Sequence, residues 1–327
     1  MTNLFLTNVS KQCGVKQHGH RFVQAMTDHS PSEDKWIVIE VSTMQQIKDA
    51  IHYWQPDVTI MNYHHAVLPK LEFEKNFGSR TKLIALPHDD LTLEGAKVFL
   101  QQHTCFEAVL WQDPTLKENV PGIYKIPRLV NRFVRTRERD RRGIPDDHVF
   151  IKVFGFGFGD KQPELMLKFI EEAFDKATIE GHFPKNEIAD PHGHNGEAMI
   201  GRLFKAITKP NIKLLVSPSM SKNHYMTDNE LAEWLSDADI NLCLHGDGTG
   251  IASTTDCMMA AGIPFAINDS PFFRHLPNEI KLGQGNSMKD ILQKGIEPWK
   301  KLAQETWSPK SFAMGVNEVL EKIRNGN

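Results

Sequence analysis

Three groups of residues in this 327-residue chain have types and spacing that could do chemistry. The first is Gly246, Gly248 and Gly250, followed by Ser253, Thr254 and Thr255. A glycine-rich turn lets backbone N–H groups approach an anion, and a helix behind it adds its unpaired N–H groups and positive dipole end. The hydroxyls would cap that helix or donate to phosphate. An anion site and a plain tight turn both satisfy this pattern taken alone. The second group is residues 13–22, where Gly14 and Gly19 bracket Lys16, His18 and His20, with Arg21 next. Close backbone approach would combine there with positive charge and transferable protons; a solvated basic loop is the alternative. The third is His88 with Asp89. A histidine of near-neutral pKa can act as a base or hydrogen-bond a hydroxyl, and a carboxylate beside it can orient the ring or take a proton. His64 and His65 are weaker candidates, because adjacent residues on one loop diverge.

These groups all sit where apolar runs end, which defines the elements that must hold them. Residues 4–6, 36–41, 58–61, 82–86 and 108–111 are short apolar runs, separated by amphipathic stretches such as 21–27 and 44–54. A second series comprises 149–154, 212–216, 240–244 and 264–267. Strands alternating with helices predict an α/β fold with parallel sheets covered on both faces. The pattern restarts after an arginine-rich stretch, so the expected domains are 1–135 and 146–327. The tail, 299–323, reads as helix broken around Trp307 and Pro309. Function in such folds lies on loops at the carboxyl ends of the strands.

The segment 228–276 resembles the donor-binding half of nucleotide-sugar glycosyltransferases with two Rossmann-like domains (GT-B). Within these it is similar to the large group related to glycogen and sucrose synthases, the glycosyltransferase group 1 or family 4-like enzymes. The resemblance is carried by the strand, the small-residue loop, the helix, and then Ala260, Ala261, Gly262, Ile263 and Pro264. It implies two Rossmann-like domains with parallel sheets facing a central cleft. The N-terminal domain would present an acceptor hydroxyl, and the C-terminal domain would hold a nucleotide diphosphate-sugar, with UDP-sugar favoured. The last helix would cross back to the N-terminal domain. The group carries two glutamates, whose places fall here on Thr249 and Cys257; the nearby Asp247 and Asp256 become the candidates for touching sugar or ribose. Residues 154–161 resemble the region whose arginine and lysine clamp the donor diphosphate. Lys161 fits the lysine. Phe156 or Phe158 occupies the arginine's place, leaving Arg202, Lys205 or Arg21 to supply a second cation. His88 and Asp89 match a His-Asp-like pair that meets the transferred sugar. Gly14 and Gly19 match an N-terminal glycine loop that meets donor phosphates and acceptor. Residues 124–128 stand where the group has an Asn-Gly, absent here, and 269–275 where its chain turns toward base and ribose.

No further cofactor is implied. Lys161 with the helix behind residues 246–255 would compensate a diphosphate without a divalent metal. Asp190, His192 and His194 lie in a Pro/Gly turn, a weaker metal pattern than two histidines one helical turn apart, so a surface or acceptor loop is preferred there.

Composition narrows the classes. Four cysteines without a CxxC pair suggest reduced thiols in a cytoplasmic protein. No apolar run approaches about 18 residues, and the chain opens on a strand-like run, so a soluble, unprocessed chain is expected. A net charge of −3 gives no bulk attraction to nucleic acid or anionic membrane. Locally, Arg128, Arg132, Arg135, Arg137, Arg139, Arg141 and Arg142 accompany only Glu138 and Asp140. Such a run is a linker paired with acidic neighbours, or it follows a phosphate backbone. The expected function is sugar transfer to a hydroxyl on a saccharide or small molecule, ahead of a hydroxymethylated base in DNA. A sugar-nucleotide epimerase and a non-catalytic nucleotide-sugar or nucleic-acid binding protein are the alternatives.

Overall fold

The structure is a computed structural model describing residues 1–10, 13–64, 81–88, 92–117, 120–136, 138–157, 161–186, 190–215, 225–248 and 250–325. It divides into two compact units, one formed by Met1–Leu129 with Glu305–Asn327 and the other by Val130–Gln304.

The first unit contains β1 (Thr2–Asn8), α1 (Gly14–His29), β2 (Lys35–Val41), α2 (Met44–Trp54), β3 (Val58–Tyr63) and β4 (Lys82–Pro87). It continues through α3 (Leu93–Gln102), β5 (Ala108–Trp111) and β6 (Ile123–Lys125). These strands form one parallel sheet in the order β2-β1-β3-β4-β5-β6. Side chains alternate across a strand, so β1 sends Phe5 to one face and Leu4 and Leu6 to the other. Phe5 packs with Phe22 of α1 and Phe312 of the C-terminal helix, whereas Leu4 and Leu6 pack with Ile47 of α2 and Phe99 of α3. Both faces are therefore covered, which is why these strands read as continuous apolar runs.

The second unit contains β7 (Val149–Phe154), α4 (Pro163–Ala173), β8 (Ala177–His182), α5 (His194–Ala206), β9 (Ile212–Leu215), α6 (Asp228–Ser236) and β10 (Ile240–Cys243). Then follow α7 (Thr254–Ala261), β11 (Phe265–Asn268), β12 (Lys281–Leu282), α8 (Met288–Lys294) and α9 (Glu297–Lys301). The last helix, α10 (Pro309–Arg324), returns to the first unit; Ser308 caps it by accepting from the Ser311 N–H. The second sheet is also parallel, in the order β12-β11-β10-β7-β8-β9.

Two local outcomes differ from expectation. Residues 13–22 are not a loop, since α1 begins at Gly14 and is helical through the whole basic stretch. Gly19 sits inside it because a Cβ there would lie 2.9 Å from Asn62 Nδ2 and 3.0 Å from Phe5 Cε1. That glycine serves helix-on-sheet packing. Strand β8 carries no apolar run, yet it is buried throughout. Its Glu180 stands beside Lys152 of β7, whose Nζ is 3.4 Å from Glu180 Oε2 and 3.7 Å from Asp237 Oδ2. The charges are thus matched inside the sheet, as burial demands.

Candidate functional site

In each sheet the chain first builds outward on one side of a strand and then returns to its other side. Ligands of open α/β sheets bind beyond the carboxyl ends of the strands at such reversals. In the second unit the reversal falls between β7 and β10, and in the first between β1 and β3.

Beyond β7 and β10, Lys161 and His245 meet. Lys161 is buried and its Nζ contacts His245 Nε2, with Nδ1 3.5 Å away. The lysine stem lies over Gly155, where a Cβ would stand 3.5 Å from Lys161 Cε. Cys243, the last residue of β10, completes the group. Burial alone would push its thiol pKa up, but the Lys161 ammonium and hydrogen bonds to His245 and Thr254 hold it below the ordinary value. A cation is therefore fixed one residue group away from the start of α7.

The loop between β10 and α7 is held from one side. Asn268 accepts from the His245 N–H at 3.0 Å and donates to the His245 carbonyl at 2.7 Å. Ser270 Oγ donates to the Gly246 carbonyl at 2.6 Å, and Arg274 donates to the Gly250 carbonyl at 2.8 Å. Phe272 stacks near His245, with ring centroids 4.7 Å apart, and lies directly under Gly248. The segment 269–275 thus acts as the loop's clamp. Behind the loop, α7 runs for two turns and ends at Gly262, whose φ of 72° belongs to the left-handed region that closes helices.

The hydroxyls at the start of α7 do not behave alike. Ser253 is exposed and makes no side-chain cap. Thr254 contacts the Cys243 thiol. Thr255 is fully buried and donates to the Ala252 carbonyl at 2.9 Å, the helix-capping alternative of the two offered by the sequence. Asp256 is buried in the first turn. Gly250 offers its carbonyl to Arg274, and Thr249 lies outside the described residues. Of the cations considered beside Lys161, Arg202 is paired with Glu164 at 2.6 and 2.8 Å, and Lys205 is exposed.

In the first unit, His18 of α1, Asn62 at the end of β3 and His88 just past β4 come together. Asn62 donates through Nδ2 to Thr7 Oγ1 at 2.9 Å and to the Val15 carbonyl at 2.5 Å. That fixes its Oδ1 as an acceptor, and His88 Nε2 lies 2.5 Å from it. His88 therefore carries its proton on Nε2 and keeps a lone pair on Nδ1. Burial, and then the positive fields of His64, Arg21 and Arg128, lower the His88 pKa to about 3. The near-neutral titration expected of it is corrected: it is a neutral, weakly basic ring. His18 packs edge-on against it and is likewise held well below its ordinary pKa, first by burial and then by His88, Arg21 and Arg128. Asp89 and His65 lie outside the described residues.

Lys16 and His20 turn away from this group. They meet Glu40 of β2 at 2.7 and 3.3 Å. Gly14 has open space around it. Of the basic set on α1, only His18 and Arg21 act on the histidine group.

The arginine run is mostly paired within the second unit. Arg135 reaches the Ser236 carbonyl and Asp237, Arg139 and Arg141 both bond Asp239 at 2.9 Å, and Arg142 bonds Asp140. Arg128 is buried in the first unit, Arg132 is exposed, and Arg137 lies outside the described residues. Four of the seven arginines thus form an ion-paired strap, in line with a linker paired with acidic neighbours. Asp190 accepts from the His194 and Asn195 N–H groups at 3.0 and 2.9 Å, capping α5. Among the described residues no cluster of three His, Cys, Asp or Glu could hold a metal ion, and no helix is long and apolar enough to cross a membrane.

Asn62, Gln112, His245 and Asn268 were not singled out from sequence. Each is a polar residue at or just past the end of an apolar strand run, and that position is the signal that would have found them.

No family model matches the chain, and no curated protein matches it. Solved structures do. HepE of Anabaena, in complex with UDP and glucose, is 11% identical over 98% of this chain and 100% of its own, with a TM-score of 0.62. Sucrose-phosphate synthase from Thermosynechococcus elongatus is 9% identical over the whole of both chains, with a TM-score of 0.65. The trehalose-6-phosphate synthase OtsA is 10% identical over 98% of this chain and 99% of its own, with a TM-score of 0.62. The fold of the chain is GT-B.

Proposed function

We propose that the chain is a glycosyltransferase moving a sugar from a nucleoside diphosphate donor, UDP-sugars favoured, to a hydroxyl acceptor. The observation that carries this reading is Lys161, held against His245 beside the start of α7 at the sheet reversal of the second unit. As the bond from sugar to diphosphate breaks, negative charge develops on the departing phosphate. A fixed ammonium and the N–H groups of a helix start stabilise that charge without rearranging. The loop of residues 246–253 would carry the diphosphate, with Asp256 near ribose or sugar. HepE holds UDP and glucose on the same fold, which supports a UDP-sugar.

His88 is assigned to a hydroxyl of the sugar or acceptor. Its bare Nδ1 accepts a hydrogen bond, while its weak basicity makes it a poor general base. The acceptor proton would then pass to Asp89. A saccharide or small hydroxylated acceptor is favoured over a hydroxymethylated base in DNA, because Arg135, Arg139, Arg141 and Arg142 are engaged with carboxylates.

A nucleotide-sugar binding protein without turnover is the second reading. One observation favours it: the place of an acidic ribose or sugar contact holds Cys257, a half-buried thiol. Incubation of the full chain with UDP-sugars and an acceptor panel, read by UDP release and product analysis, separates these. Glycosylated acceptor supports transfer. Binding without UDP release supports the second reading, and an isomerised sugar formed without acceptor supports an epimerase.

A further inference from the structure

The histidine group of the first unit contains a donor with nothing to donate to. Gln112 Nε2 lies 3.0 Å from His18 Nε2, so the amide donates and that ring nitrogen accepts. The His18 proton is thereby placed on Nδ1. That atom is buried, with His18 8% exposed, and it has no hydrogen-bond partner among the described residues. Buried polar atoms in folded proteins nearly always have partners, and an exception needs a cause.

The neighbouring ring supplies the complement. His88 gives its Nε2 proton to Asn62 Oδ1 and keeps a lone pair on Nδ1. The two ring centroids are 4.7 Å apart. An oxygen hydrogen-bonded to two nitrogens at about 2.8 Å each can bridge a gap of about 5 Å. His18 is buried and His88 is half-buried, so the pair runs from an enclosed donor to a ring that reaches the surface. Asn62, which also bonds Thr7 of β1, ties the pair to the reversal between β1 and β3, where ligands of open α/β sheets bind.

The chemistry of the missing group follows from these two atoms. A hydroxyl accepts and donates through one oxygen. A carboxylate only accepts and would set a lone pair against His88 Nδ1, whereas an ammonium only donates and would face the His18 Nδ1–H. We propose that His18 and His88 together read one hydroxyl of a neutral sugar, which accepts from His18 Nδ1–H and donates to His88 Nδ1. His18 is then a specificity-determining residue beside His88. With its pKa lowered to about 3, His88 holds the hydroxyl proton without removing it, so this is not the hydroxyl that reacts. That the sugar takes part in transfer rests on the glycosyltransferase reading above; the hydroxyl site itself does not.

The test is nitrogen-15 spectroscopy of the histidine rings in the full chain, with glucose, mannose and galactose, each with and without excess UDP, and with UDP-glucose against UDP. One of these sugars is expected to move both the His18 Nδ1–H and the His88 Nδ1 resonances. A free hexose doing so marks an acceptor; UDP-glucose alone doing so marks the transferred sugar. Among the monodeoxy derivatives of the responding sugar, the one lacking the held hydroxyl leaves both nitrogens unpaired and should bind about tenfold or more weakly. In His18→Phe, which keeps an aromatic ring against His88, that penalty should shrink. Rings unmoved by every sugar, deoxy derivatives that all bind as well as the parent, or an equal penalty in His18→Phe overturn the proposal. Should the variant fail to fold, the wild-type spectra decide, because the weakly binding deoxy sugar at saturation must leave the His18 Nδ1–H resonance where it stands in the free chain. A hexose response at both rings without any UDP response would keep this site and remove the glycosyltransferase reading; a UDP response with silent rings would do the reverse.

Discussion

The rings of His18 and His88 meet edge to face, with centroids 4.7 Å apart and planes at 68°. Each has one nitrogen tied to an amide, Gln112 for His18 and Asn62 for His88, and these bonds fix which nitrogen carries the proton. Two neutral imidazoles of opposite polarity thus stand side by side, one presenting a donor and the other an acceptor. Protonating either would put a cation beside Arg21 and Arg128.

This arrangement sets a pH dependence. The His88 pKa is about 3 in the folded chain against an ordinary 6.5, so the unfolded chain takes up a proton that the folded one refuses. The resulting stability is complete above pH 6.5 and is lost as pH falls from there toward 3. His18 contributes with the same sign. The wild-type Tm should fall between pH 6.5 and 5, where ordinary carboxylates remain ionised. In His88→Gln and His18→Gln the decline should be shallower. A wild-type Tm flat over this interval would contradict the account.

Gly248 and Phe272 fix the donor loop by contact. A Cβ on residue 248 would fall 2.2 Å from Phe272 Cε2, so Gly248→Ala must displace the ring that stacks near His245. The expected cost is about 1–3 kcal/mol in denaturant unfolding, together with weaker UDP binding. Phe272→Leu in the Gly248→Ala background should recover part of both.

Lys152 tests the buried charges of the second sheet. It donates to the Trp234 carbonyl at 2.6 Å and sits between Glu180 and Asp237. Lys152→Ala takes this cation away from buried Glu180 and leaves Asp237 with Arg135, and should cost about 3–5 kcal/mol. Lys152→Met with Glu180→Gln, which removes cation and anion together, should cost clearly less. Equal losses in the two proteins would show that the lysine acts only through packing.

The fold was legible because most strands are buried on both faces and therefore appear as bare apolar runs. Strand β8 escaped notice because its polar residues are buried against other parts of the chain, Thr178 on His148, Glu180 on Lys152 and the His182 ring near Trp234. Lys161 and His88 stood out as charged or titratable residues after strand ends. Their partners did not: Asn62, Gln112 and Asn268 are ordinary amides until the sheet brings them to a histidine. Lys16 and His20 misled for the converse reason. Helical spacing carries them to the face of α1 that meets Glu40, while His18 and Arg21 lie on another. The arginine run likewise looked cationic only because Asp237 and Asp239, about a hundred positions away, are invisible to local composition.

The central claim is that Lys161 and the loop before α7 hold a nucleoside diphosphate. Calorimetric titration of UDP and UDP-glucose into the wild-type chain and into Lys161→Met tests it most directly. The account predicts saturable binding to the wild type and a loss of about 10- to 100-fold in affinity in the variant, the range for removing a charge-assisted hydrogen bond. Equal affinity in the two proteins, or no binding of either nucleotide to the wild type, would contradict it.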